Sequence, residues 1–76
     1  MRKWTYTAHI EKDEESNLYY GYVPSLPGAH TEAADIATLH KNLEEVILLC
    51  LSEMTDQEKE IATTRFMGTH QVSVLV

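Results

Sequence analysis

A chain of 76 residues holds one domain with a thin core, because a domain this short buries only roughly 60% of the surface its unfolded form exposes. Twelve acidic residues against six basic ones give a formal charge of −6, the wrong sign for a protein that binds nucleic acid by neutralising phosphates. A single cysteine, Cys50, excludes an internal disulfide and reads as a small buried hydrophobe, which leaves association with itself or a partner as the route to extra stability.

In residues 3–12, Trp4, Tyr6, Ala8 and Ile10 alternate with Thr5, Thr7, His9 and Glu11, the period of a strand with one buried and one wetter face. A polar turn at 13–17 leads to a second strand over 18–24, rich in aromatic β-formers, and the short connection predicts an antiparallel hairpin. Pro24, Pro27 and Gly28 then punctuate the chain by fixing φ, removing two donors and permitting positive φ. Residues 29–33 form a candidate third strand. Residues 35–53 read as the main helix, capped by Asp35 or Thr31, with an apolar stripe of Ile36, Leu39, Leu43, Val46, Ile47, Cys50 and Leu51. Leu48 and Leu49 fall about 120–140° from the centre of that stripe. They are either ordinary exposed leucines or contacts to a second subunit. Residues 56–62 could form a short second helix capped by Thr55, and residues 66–76 predict a last strand in which His70, Val72, Val74 and Val76 alternate with Gln71, Ser73 and Leu75.

The expected fold is therefore α+β: a single two-layer domain over 1–76, ordered β-β-β-α-β, with a mostly antiparallel sheet and one long amphipathic helix on one face. The N-terminus runs straight into strand sequence, and the longest apolar run, residues 46–51, is far too short to span a bilayer, so a cytoplasmic protein without membrane contact is expected.

The residues supply little for catalysis. None of the histidines, His9, His30, His40 and His70, forms an i, i+4 pair with another, and no Cys-x-x-Cys occurs. His9 and His70 lie on strands that could be neighbours but have no third ligand. His40 sits near the edge of the apolar stripe as a packing residue, and His30, after the Pro-Gly turn, suits a turn hydrogen bond better than proton transfer. Asp13, Glu14 and Glu15 read as a solvated loop tip, and adjacent Glu44 and Glu45 point about 100° apart on the helix. No phosphate loop and no nucleophile with a base are present. No enzyme activity, cofactor or metal is expected.

Residues 19–23 (Tyr-Tyr-Gly-Tyr-Val), the following Pro-Ser-Leu-Pro-Gly-Ala-His-Thr at 24–31 and the helix segment Leu-His-Lys-Asn-Leu-Glu-Glu-Val-Ile at 39–47 together resemble the HicB-like antitoxin family. The turn at 11–15 and the Phe-Met-Gly at 66–68 before a valine-rich strand are similar to it as well. The chain departs from the family pattern at Ala29, Ala33, Leu39 and Val46. The resemblance implies a partial ribonuclease-H-like topology, in which the last strand returns beside the first by a right-handed crossover. Ribonuclease H activity does not follow, because that chemistry needs carboxylates converging on metal ions and the segment 70–76 contains none.

The resemblance further implies a toxin partner of the HicA type, a small basic ribonuclease whose RNA surface the antitoxin covers, and a single-domain form without a C-terminal DNA-binding module. The expected partner surface comprises the turn Asp13, Glu14 and Glu15, the aromatic hairpin Tyr19, Tyr20 and Tyr22, and the loop Pro24, Leu26, Pro27, Gly28 and His30. The alternatives are an orphan homo-oligomer, joined through sheet edges or Leu48 and Leu49, and a metal-dependent nuclease.

Overall fold

The computed structural model describes residues 3–63 and 67–76. Three short strands, β1 (His9–Lys12), β2 (Tyr19–Tyr22) and β3 (His30–Ala33), precede a long helix, α1 (Ile36–Ser52), and a short one, α2 (Asp56–Ala62). The strands form one antiparallel sheet in the order β1-β2-β3, with His9 opposite Tyr22 and Tyr22 opposite His30, and Glu11 opposite Tyr20 and Tyr20 opposite Glu32.

Local chemistry explains both connections. In the β1–β2 turn the Asp13 carboxylate accepts from the Ser16 hydroxyl at 2.8 Å and the Ser16 amide at 3.3 Å, an Asx-type turn. Asn17 takes φ 62°, a left-handed conformation that asparagine tolerates. Between β2 and β3 the Leu26 amide donates to the Val23 carbonyl and the Ala29 amide to the Leu26 carbonyl, while Gly28 adopts φ 90°. The two prolines lie outside these bonds, where their missing donors cost nothing.

Asp35 starts α1 by accepting from the Thr38 amide at 2.7 Å and its hydroxyl at 3.0 Å. Thr31, the alternative cap, lies within β3. The predicted stripe then turns onto the sheet: Leu39, Leu43 and Leu51 are buried and Val46, Ile47 and Cys50 half-buried, whereas Ile36 stays exposed. Helix and sheet approach closely at Gly21. A Cβ there would lie 2.9 Å from Leu43 Cδ1 and 3.4 Å from Leu39 Cδ2. Two adjoining clusters make up the core. Leu39 and Leu43 pack with Ala33 and Tyr19, and Leu51 packs with Val23, Leu26 and Ala29, flanked by Trp4, Tyr6 and Ala62. Thr55 and Glu58 close a reciprocal capping box on α2, and the Tyr6 hydroxyl donates to the Lys59 carbonyl at 3.0 Å, tying α2 to the segment before β1.

Two expectations are corrected. The first strand is confined to β1; residues 4–8 pack against the core without strand pairing. The last strand is not formed in residues 67–76, which carry no regular structure and are exposed throughout, and Phe66 lies outside the described residues. Valine alternation supplies β propensity, but a strand exists only through a ladder partner, and these residues have none among the described residues. The order among the described residues is thus β-β-β-α-α, still a small α+β domain. Among the described residues no helix is long and apolar enough to cross a membrane.

Two substitutions test this packing by urea unfolding. Leu39→Ala should lower stability by about 2–5 kcal/mol through lost transfer energy and a cavity. Gly21→Val should lower it by about 1–3 kcal/mol, because the new methyls displace Leu39 and Leu43.

A pH dependence follows from the turns and caps. The Ser16 hydroxyl and amide hold the Asp13 carboxyl below its ordinary range, the Thr38 amide and hydroxyl do so for Asp35, and the Thr55 amide and hydroxyl for Glu58. Groups depressed in the folded state stabilise it above their unfolded-state values, and that contribution disappears as pH falls through the depressed ones. The urea midpoint should therefore drop as pH falls below about 4. In Asp35→Asn, which keeps an N-cap acceptor but does not titrate, the drop should be shallower.

Candidate functional site

Strand alternation divides the sheet residues into two sets. Tyr19, Gly21, Thr31 and Ala33, with Ile10 and Lys12 on β1, share the face that α1 covers, as the contacts of Gly21, Ala33 and Tyr19 with Leu39 and Leu43 establish. His9, Glu11, Tyr20, Tyr22, His30 and Glu32 have the opposite parity and share the outer face. Among the described residues no helix packs on that side.

The register turns this outer face into two rows. One is His9–Tyr22–His30 and the other is Glu11–Tyr20–Glu32, each with a tyrosine at its centre. Tyr20 and Tyr22 are 37% and 39% exposed, high for central-strand aromatics, and the His9 and Tyr22 rings meet tilted at 44° with centroids 5.3 Å apart. The glutamate row lies at the end of the sheet nearest the 13–17 turn, so Glu14 and Glu15, both exposed, extend its negative charge. Chemically the face offers two amphipathic rings with hydroxyl tips, an acidic end and an imidazole end. That combination suits macromolecular docking, where tyrosine supplies contact area and carboxylates select for positive charge.

The residues singled out in the sequence divide accordingly. Tyr20, Tyr22 and His30 come together on the outer face. Tyr19 does not join them: it packs against α1 on the other face, with Lys12 Nζ 5.2 Å from its ring centre. Leu26 is buried at 2% exposure and belongs to the core, so it is withdrawn as a contact residue. Pro24, Pro27 and Gly28 are exposed at the imidazole end, while Asp13, engaged in the turn, lies with Glu14 and Glu15 at the acidic end. Glu11, Glu32 and His9 were not among the expected site residues. The wetter-face parity of His9 and Glu11 was a usable signal, but joining them to Glu32 and His30 needed the pairing register.

His40 is exposed and pairs with Glu44 at 2.8 Å along the helix, which corrects its reading as a packing residue. Leu48 and Leu49 are exposed on α1, and Leu48 borders a groove shared with Trp4 and Tyr6. Among the described residues no three His, Cys, Asp or Glu side chains are grouped to hold a metal ion.

Comparison with known proteins places the chain among small relatives of its own length. A UPF0150 protein of Thermotoga maritima is 38% identical over 69 residues, covering 91% of this chain and 88% of the relative. A UPF0150 protein of Synechocystis is 38% identical over 74 residues, covering 97% of this chain and all of the relative, and one of Archaeoglobus fulgidus is 38% identical over 65 residues, covering 86% and 87%. No protein-family model matches the chain. No solved structure matches it. With this identity sustained over nearly the whole length of each partner, the chain belongs to the UPF0150 family.

Proposed function

We propose that this protein is a non-catalytic binding module, the antitoxin of a HicA/HicB-type pair, which neutralises a small basic ribonuclease by covering its RNA-binding surface. The observation that carries this reading is the uncovered outer face of the sheet, where Tyr20 and Tyr22 stand between a glutamate pair and a histidine pair. A cationic RNA site is recognised by an anionic surface of matching size. With a charge of −6, and Glu11, Glu14, Glu15 and Glu32 gathered at one end, the domain steers such a partner before contact. The tyrosines then supply the short-range energy, as aromatic anchors do at protein interfaces. In this reading the protein acts in the cytoplasm, and its sheet and helix are part of a partial ribonuclease-H-like arrangement in which a further strand lies beside β1. Among the described residues the outer side of β1 is open, which is consistent with that arrangement. A second reading, a homo-oligomer without a toxin, draws on exposed Leu48 and Leu49.

The test is calorimetric titration with a HicA-type toxin, together with an RNA-cleavage assay. The wild-type chain should bind and suppress cleavage. Tyr20→Ala/Tyr22→Ala should weaken binding by about 2 kcal/mol or more, roughly 30-fold, with the far-UV spectrum unchanged. Glu11→Lys/Glu32→Lys should slow association and flatten its salt dependence. No binding by the wild-type chain, or full-strength inhibition by the tyrosine variant, would contradict the proposal.

A further inference from the structure

Residues 71–76, Gln-Val-Ser-Val-Leu-Val, have the composition of a buried strand and the exposure of a free one. Val72 and Val74 are 80% and 75% exposed, and Leu75 and Val76 are bare. Consistent with this, the radius of gyration is 14.4 Å and the long dimension 44 Å, whereas a compact chain of this length has a radius of about 11 Å. A β-branched alternating segment held in water forfeits its burial energy and is a ready strand donor.

The receiving site is on the same molecule type. Among the described residues β1 pairs with β2 alone, so its other side forms a sheet edge. β3 is the other edge, but α1 packs over β3 and β2 and leaves Ile10 on β1 half exposed on the inner face, with Ile61 of α2 exposed as well. A valine-rich strand laid beside β1 would extend the inner apolar layer past Ile10. The segment also reaches this edge: Thr69 lines one groove with Thr7, Ala8, His9, Ile10 and Glu11. Immediately before it, Gly68 takes φ 136°, a conformation open to glycine and strained for other residues, and beyond it the valines stay exposed and carry no strand pairing.

We propose that two copies of this chain exchange residues 71–76, each segment adding as a fourth strand to the β1 edge of the other copy. The exchange is reciprocal, so a two-fold axis satisfies both edges and closes the assembly at a dimer. It covers the bare valines and lengthens a three-stranded sheet to four strands in each half. It rests on the edge and the segment alone and stands whether or not a toxin is bound.

The experiment is performed on the full chain. Sedimentation should give a dimer at micromolar concentration. In a 1:1 mixture of 13C-labelled and unlabelled protein, isotope-filtered spectra should show contacts from the methyls of Val72 and Val74 to β1 protons of the other copy. Val72→Asp/Val74→Asp should raise the dimer dissociation constant at least tenfold while leaving the helical far-UV signal intact. If that variant does not fold, the isotope-filtered spectra of the wild-type chain decide. A monomer, a segment pairing only with its own β1, or a dimer that retains wild-type affinity in the aspartate variant would each overturn the proposal.

Discussion

At Gly21 the side chains of Leu39 and Leu43 on α1 press so close to β2 that a Cβ there would meet Leu43 at 2.9 Å. Most of the architecture depends on this contact. A domain of this size cannot fill a wide gap between layers, so burial has to come from close approach, and a glycine in the central strand permits it at the cost of some strand propensity. Gly21 also separates Tyr20 from Tyr22. With the glycine turned to the helix, alternation sends both tyrosines to the other side. One small residue thereby sets the depth of the core and the aromatic content of the outer face.

The asymmetry of the two faces has a functional consequence. The inner face is spent on α1, and the hairpin turn and the N-termini of α1 and α2 are closed by local hydrogen bonds accepted by Asp13, Asp35 and Thr55. Nothing comparable occupies the outer face among the described residues. Its polar groups are arranged by register in two rows, so charge varies along the strands and not across them. A surface of this kind presents aromatic contact area flanked by charge, and the binding role proposed above draws on that arrangement.

Much of the fold was legible in the sequence. The apolar stripe located α1 to within a residue at each end, Asp35 and Thr55 were recognisable caps, and the polar turn between aromatic strands gave the hairpin. The failures share a cause. Residues 70–76 alternate as well as any strand in the chain, and residues 4–8 do too, yet neither is paired among the described residues, because alternation describes a side-chain preference while a strand also requires a neighbour. The site was half legible. Tyr20, Tyr22 and His30 were picked out, but Tyr19 and Leu26 were grouped with them on sequence proximity, and Glu11 and Glu32 were missed because cross-strand neighbours are distant in sequence.

The central claim is that the outer sheet face is the working surface of the domain. Backbone amide mapping of the 15N-labelled chain during titration with a HicA-type toxin tests it directly. The account predicts shifts at His9, Glu11, Tyr20, Tyr22, His30 and Glu32 with the amides of α1 unmoved. Shifts centred on the exposed α1 surface around Leu48 and Leu49, with the sheet amides unmoved, would contradict it.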